Sequence, residues 1–422
     1  METDMLRVWI IASYDRLQLI SRLNGLLQPF LDRHPSVRVE WRALSWTNGF
    51  QELLRAWKEG HPPDVFEVGT TWIGMLAHLG VLAEVPAALT TAPLVAPWME
   101  DVLTVRGTRF GVPWTLDCTC FYARADVLTA FGVPPGTRLT WEELAEICTR
   151  IAERPHRFPT VDRGRMRPFA VPVSPELGSL HRIMPWLWGG GWDFPDFRQR
   201  PLRLLSHADL QEGLAFLWWL MRMDAEEEEP YARGLQTLQT EFFSDGRYAF
   251  LTGGWWEVIH GIVAGVPHYG GRWPVTVLPQ PLGPKGAWPY GGGSAIAVAA
   301  TSPNKDVAWE MLAYLLRPDV AAERARSSYA VLPYAGPFWD EYAHHDEVQL
   351  LLSAVQSARH YPVHPLWRTI EYSLARGMSD LFWYLRQTPD LAMAGRMLEV
   401  MDEQLSRWFD LAWELEATGA TG

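Results

Sequence analysis

The sequence predicts an α/β fold of mostly parallel sheets flanked by helices and divided into two domains. Val65, Phe66 and Val68 form a short apolar run of the kind a strand buried on both faces shows. Leu6, Val8 and Ile10, and later Val37, Val39 and Trp41, alternate at a period of two, and each set precedes apolar residues at helical spacing. Strands that alternate with helices argue for a parallel sheet covered on both faces. At 422 residues the chain exceeds the size at which one hydrophobic core keeps growing.

The first strand leads through Ala12, Ser13, Tyr14 and Asp15 into a helix with Leu17, Ile20, Leu23, Leu27, Phe30 and Leu31 on one side, which Gly25 and Pro29 should weaken. After the second strand, the turn through Trp46 opens a helix whose Phe50, Leu53, Leu54 and Trp57 fall at i, i+3, i+4 and i+7. Pro62, Pro63 and Asp64 stop it. The strand at Val65 follows, then a small polar turn of Gly69, Thr70 and Thr71, then a short helix from Trp72 closed by Gly80. Open α/β sheets hold ligands at the carboxyl ends of their strands, which is where that turn lies.

Further on, residues 126–131 and 140–151 read as helices, the second opened by a capping box of Thr140 with Glu143. Residues 155–175 are rich in Pro and Arg and give no clear element. A helix over 176–188 should end at Gly189, Gly190 and Gly191. Leu210, Leu214, Leu217, Trp218 and Met221 predict another, capped by Ser206, and the acidic residues 226–229 read as a solvated loop. Strands are expected at 248–251, 275–277 and 295–299. Helices are expected at 304–316, 348–357 and 367–386, and a last one with Pro389 at its first position behind Thr388.

Five stretches carry a resemblance. They are the segment from His61 to Val85, Phe110-Gly-Val-Pro-Trp-Thr-Leu-Asp117, Leu139-Thr-Trp-Glu-Glu-Leu144, Phe243-Ser-Asp-Gly-Arg-Tyr-Ala-Phe-Leu-Thr-Gly-Gly-Trp255, and Gly291-Gly-Gly-Ser-Ala-Ile296 leading to Ala308-Trp-Glu-Met-Leu312. In this order they resemble the extracellular (family 1) solute-binding proteins that feed sugars to bacterial ABC importers. The resemblance implies a two-lobe periplasmic-binding-protein-like fold of type II, with multiple hinge crossings near residues 111–117, 275–299 and 331–334. Residues 1–115 and about 292–333 would form the N-terminal lobe, and residues 116–291 and about 334–422 the C-terminal lobe. It further implies a monomer that works with membrane permease subunits at the periplasmic or extracellular face of the cytoplasmic membrane. No cofactor is implied. Residues 1–7 lack the apolar core of a secretory signal, so the expectation is either that an export signal or lipid anchor was removed from this sequence or that the protein never had one.

The charge of −12 argues against nucleic acid as a partner, and no run of eighteen apolar residues predicts a membrane span. Cys118, Cys120 and Cys148 have no zinc spacing, and the first two are too close for a relaxed bridge, so all three are expected free and buried. Neighbouring histidines such as His344 and His345 would splay on a helix and make no metal site with Asp346. Neither a nucleophile elbow at Ser294, nor a phosphate loop, nor a zinc-protease pair is present.

Twenty-three tryptophans are more than packing alone explains, because a buried indole N–H needs a partner. Trp186, Trp188, Trp218 and Trp219, within helices, read as core. A pyranose lays its C–H faces on an indole, while its hydroxyl rim needs paired donors and acceptors. Tyr14, Trp46, Thr70, Trp72, Asp117, Trp255, Trp256, Glu257, Tyr290 and Trp367 satisfy this logic or match the family's cleft loops. A carbohydrate, with a di- or oligosaccharide favoured by the tryptophan content, is the expected ligand, held by tryptophan stacking and enclosed by hinge closure. Two alternatives stay open. A phosphodiester or polyamine would need a cleft rich in one sign of charge, and a glycosidase would need two carboxyls across the sugar, for which Asp117 and Glu257 are the pair.

Overall fold

The computed structural model describes residues 4–12, 15–161, 164–197, 202–205, 207–223 and 234–417. Tyr14, Ser206 and the acidic residues 226–229 lie outside them. The amino-terminal third contains β1 (Asp4–Ile11), α1 (Arg16–Leu31), β2 (Val37–Leu44), α2 (Gly49–Lys58), β3 (Val65–Gly69), α3 (Ile73–His78), α4 (Met99–Leu103), and the two-residue strands β4 (Thr104–Val105) and β5 (Thr108–Arg109). Then follow β6 (Val112–Arg124), α5 (Ala125–Phe131), α6 (Trp141–Glu153), β7 (Arg167–Ala170), α7 (Leu177–Gly190), α8 (His207–Arg222), α9 (Leu235–Phe243), β8 (Tyr248–Gly254), α10 (Trp256–Ala264) and β9 (Val275–Leu278). The last part holds β10 (Gly291–Val298), α11 (Lys305–Leu315), α12 (Pro318–Ser328), α13 (Pro337–Tyr342), α14 (Asp346–Gln356), α15 (Trp367–Gln387) and α16 (Leu391–Ala417).

The strands order as β2-β1-β3-β10-β6-β8-β7, with β9 also on β6. β1 runs parallel to β2, from Asp4 opposite Val37 to Ile11 opposite Leu44, and parallel to β3 at Val8 and Val65. Parallel neighbours need a crossover, and α1 and α2 supply it. β7 and β8 repeat the parallel arrangement at the other end. Between these wound parts the chain crosses antiparallel. β10 lies between β3 and the first half of β6, and the second half of β6 pairs with β8 and β9. The thirteen residues of β6 therefore belong to both ends of the sheet.

A bulge interrupts the β10–β6 register between Ser294 and Ala295. Just before it, Gly293 has φ +134, and a Cβ there would overlap the Thr115 carbonyl, so only glycine fits where the two crossing strands kink past each other.

Two apolar cores result. One gathers Leu6, Val8, Leu27, Phe30, Phe66, Val68, Ile296 and Leu312, and continues under the crossing to Phe242, Leu251 and Val258 and to Val348 and Leu351 of α14. The other packs Phe121, Leu144, Ile147, Trp186, Leu187, Leu217 and Phe250 against Leu374 and Leu381 of α15. Trp186 and Trp188 are buried in the second core, and Trp218 and Trp219 pack at its margin. All three cysteines are free and buried. The Thr140–Glu143 capping box is formed in both directions, at 3.2 and 2.8 Å.

Several local expectations need correction. The unassigned stretch 155–175 contains β7, four residues long with Pro168 inside it, tolerated because β7 is an edge strand paired only with β8. The last helix starts at Leu391, two residues after Pro389, and the Asp390 side chain caps it. His344 and His345 sit in the turn before α14, not on a helix, with ring centroids 4.2 Å apart.

Candidate functional site

The carboxyl end of β3 turns directly into the single 3-10 turn Thr70–Trp72, which places Thr70 and Trp72 in buried positions. Trp46, in the loop after β2, remains 43% exposed and meets Trp72 edge-on at 6.0 Å, while Phe50 of α2 meets the same indole at 5.1 Å. The start of α15 touches the Thr70–Trp72 turn, and α7, Tyr290 and Trp367 belong to the second core, while α10 packs in the first. No side chain at Gly254 could coexist with the Trp256 ring, which folds back over that backbone.

Two constellations form there. In the first, Tyr290 is stacked on His181 at 4.3 Å and lies 4.8 Å from Tyr361, which in turn lies 4.9 Å from Trp367. His181 Nε2 is 3.0 Å from Glu371 Oε1, and Arg368 stands 3.9 Å from the other oxygen of that fully buried carboxylate. Burial pushes the hydroxyls of Tyr290 and Tyr361 well above the ordinary tyrosine range, which keeps both neutral.

In the second, the buried Arg182 lies 3.6 Å from Asp117 Oδ2, with its guanidinium 4.7 Å from the ring centre of Trp256. Trp256 Nε1 donates to Glu257 Oε1 at 3.0 Å. Burial holds the Glu257 carboxyl above its ordinary value, against the opposing pull of that hydrogen bond and of His260. His181 and Arg182 are adjacent on α7, so the two constellations share one helix.

Many buried polar atoms in these groups have no hydrogen-bond partner: Asp117 Oδ1, Arg182 Nε and Nη1, Tyr361 Oη, Trp367 Nε1, Arg368 Nε and Nη1, and Glu371 Oε2. Each such group costs about 1–3 kcal/mol when left dry. Donors and acceptors occur together, between aromatic faces. That combination suits a ligand whose own groups both donate and accept, with apolar faces between them.

Thr70, Thr71, Gly74, Tyr290, Tyr361 and His364 line a common cavity of only about 10 Å³. That is scarcely room for one water.

Of the residues singled out from sequence, Thr70 and Tyr290 share this cavity, and Trp367 joins them through Tyr361. Asp117 and Trp256 flank Arg182, with Glu257 bonded to the Trp256 indole, and Trp46 and Trp72 form the pair beside α2. Trp255 stands apart: it is 1% exposed within the first core, with its indole N–H unpaired. Tyr14 lies outside the described residues. Sequence reasoning missed His181, Arg182, Tyr361, Arg368 and Glu371. A signal existed for two of them, because His181 and Arg182 interrupt an otherwise apolar helix that reads as buried all round.

Among the described residues no group of three His, Cys, Asp or Glu is placed to hold a metal ion, and no helix is long and apolar enough to cross a membrane. Residues 25–351 match the family described as bacterial extracellular solute-binding protein. The chain belongs to that family. Like the family's members, it has a two-lobe architecture: maltose-bound MalE3 of T. maritima superposes with a TM-score of 0.77 at 18% identity, covering 96% of this chain and 100% of that one. Among relatives compared by sequence, an uncharacterized lipoprotein of Streptomyces antibioticus is 27% identical over 68% of this solute-binding chain and 61% of its own. A lactose-binding protein of Rhizobium radiobacter is 26% identical over 53% of this chain and 49% of its own. The chain thus spans between about half and three-fifths of the length of these two curated relatives.

Proposed function

We propose that this solute-binding protein captures a carbohydrate, a di- or oligosaccharide, in the groove between its lobes and presents it to the permease subunits of an ABC importer. It would act as a monomer on the outer side of the cytoplasmic membrane. In this reading the lobes divide near residues 115, 292 and 333. The observation that carries the reading is the concentration of buried donors and acceptors without hydrogen bonds among packed aromatic rings. A sugar's hydroxyls would satisfy both kinds, and its C–H faces would lie on the rings.

Charge supports a neutral ligand. Arg182 and Arg368 stand among Asp117, Glu257 and Glu371, a mixture of signs that neither a phosphodiester nor a polyamine would favour. The lactose and maltose named for relatives are in keeping with this. The cavity shared by Thr70, Tyr290 and Tyr361 is too small for a sugar, so the ligand would enter when the lobes part, and its contacts with both lobes would then favour the closed form.

Intrinsic tryptophan fluorescence and melting temperature against a panel of sugars test the proposal. At least one di- or oligosaccharide should raise the melting temperature and change the emission, and chromatography after a day's incubation should recover that sugar intact. The Tyr361→Phe variant, which loses a buried unpaired hydroxyl, should bind that sugar about five- to tenfold more weakly while melting no lower than the parent. A response to charged solutes alone, or a hydrolysed sugar, refutes the reading.

A further inference from the structure

Glu371 of α15 has no exposed surface, and its Oε1 lies 3.0 Å from Nε2 of His181 on α7. Arg368 stands 3.9 Å from its other oxygen with the opposite charge. A carboxylate only accepts hydrogen bonds, so the proton in the contact with His181 belongs to the imidazole. The bond made by one ring nitrogen sets the state of the other. With the proton held on Nε2, Nδ1 of a neutral imidazole carries a lone pair and can only accept.

Nδ1 of His181 has no hydrogen-bond partner among the described residues, and the side chain is 17% exposed where Glu371 is sealed. Its neighbours are rings. Tyr290, stacked on it at 4.3 Å, lines the cavity, and Tyr361, 5.5 Å away, has an unpaired hydroxyl. A ligand hydroxyl set among them can donate to the imidazole and accept from a phenol.

We propose that Glu371 is a positioning residue that holds His181 as the Nε2–H tautomer, so that Nδ1 is offered as an acceptor and the ligand must bring a donating hydroxyl to it. This rests on the carbohydrate reading above. A protonated imidazole has no acceptor left, so acid removes the feature that the hydroxyl needs. The other charged and titratable groups about the ring are Arg368 beside Glu371, Tyr290, Tyr361, and Arg182 on α7 with its Asp117 on β6. α8 and β8 also pack on α7, but they meet it further along, through Gly213 against Gly190 and Thr252 against Trp186.

Nitrogen NMR of the isotope-labelled protein without ligand reads the tautomer directly, and the signal lost in His181→Asn assigns it. At about pH 8 the parent should show a protonated Nε2 and an unprotonated Nδ1. Glu371→Gln, whose amide can donate as well as accept, should populate both tautomers. Isothermal titration with maltose, maltotriose and lactose then reads the consequence. For whichever sugar binds, parent affinity should fall about tenfold from about pH 8 to about pH 5, the span in which imidazoles ordinarily titrate. His181→Asn offers an amide oxygen near the place of Nδ1 and does not titrate, so its affinity should stay within about twofold over that span. Melting temperatures check the folding of both variants, and the parent tautomer and the His181→Asn titration decide the matter even if Glu371→Gln does not fold. A proton on Nδ1 in the parent, an unchanged tautomer in a folded Glu371→Gln, or an equal pH dependence in His181→Asn overturns the positioning role and leaves the carbohydrate reading standing. The expected tautomer with no binding of any of the three sugars overturns the ligand role of Nδ1 and counts against the carbohydrate reading itself.

Discussion

Glu67 lies in the middle of a strand whose five residues are all buried. Its carboxylate accepts from the Ile11 backbone N–H at 2.8 Å and from the Ser294 hydroxyl at 2.6 Å, and Ser294 is 2.6 Å from the Thr115 hydroxyl. Four strands, β1, β3, β10 and β6, are tied through this one acid. Arg324, buried over the Trp114 ring at 3.6 Å and donating to the Trp114 carbonyl, lies close enough to attract it, and burial lowers the Arg324 pKa to about 10. Burial outweighs these partners and pushes the Glu67 pKa above its ordinary 4.5. The native state therefore holds a proton that the unfolded chain has already lost. The stability this gives is complete below pH 4.5 and is lost as pH rises through the native value. Glu67→Gln cannot titrate. The stability of the parent minus that of the variant should accordingly fall as pH rises from 4.5, by about 1.4 kcal/mol for each unit by which the pKa is raised. Urea denaturation of both proteins at a series of pH values gives that difference, and a flat line would show that burial does not govern Glu67.

At the scale of elements, α16 shows what one cap contributes. Asp390 accepts from the backbone N–H groups of Ala392 and Met393 at 3.0 and 3.1 Å, which are the second and third positions of the helix. Asp390→Ala should cost about 1 kcal/mol in denaturant unfolding. Pro389→Ala should cost less, since Pro389 stands outside the helix; the reverse order would restore Pro389 as the first helical residue. Pro389 and Asp390 are both good starting signals, and sequence alone does not rank them. Where one period dominated, elements were legible: the β1-α1-β2-α2-β3 run, the Thr140 cap and β8 all follow from spacing and cap residues. β7 was hidden by its shortness and its proline, and α10 by being apolar on nearly every face, which leaves no helical period to read. The aromatic side of the groove was partly visible because Trp stands out at strand ends. Its polar side was not, because Arg182 and Glu371 sit at positions on α7 and α15 that pattern reading assigns to packing. Glu67 escaped for the same reason, being passed over within an apolar run.

For the molecule as a whole, the segment 358–366 between α14 and α15 lines the cavity at Thr70 and Tyr290 with its residues 360–364. Its Arg359 accepts from the Gly291 N–H at 2.7 Å and donates to the Pro289 carbonyl at 2.9 Å, and the Arg359 guanidinium sits 3.6 Å over the Trp288 ring. Further along, the backbone of His364 presses on Gly74 of α3. A Cβ at Gly74 would lie 2.7 Å from the His364 oxygen and 2.9 Å from its carbonyl carbon. Gly74→Ala must therefore displace backbone, at a cost of about 1–3 kcal/mol. The variant should melt lower, scatter X-rays with a larger radius of gyration, and bind its sugar more weakly. An unchanged radius together with unchanged affinity would mean that this contact does not hold the lobes closed.

The interleaving of β10 between β3 and β6 also governs how the chain is made. During synthesis from the amino end, β3 has β1 on one flank and nothing on the other until Gly291–Val298 leaves the ribosome, an interval of more than half the chain. An unpaired strand edge invites pairing with other molecules. A nascent or prematurely terminated product that stops before Gly291 is thus a sticky template and not a self-sufficient half.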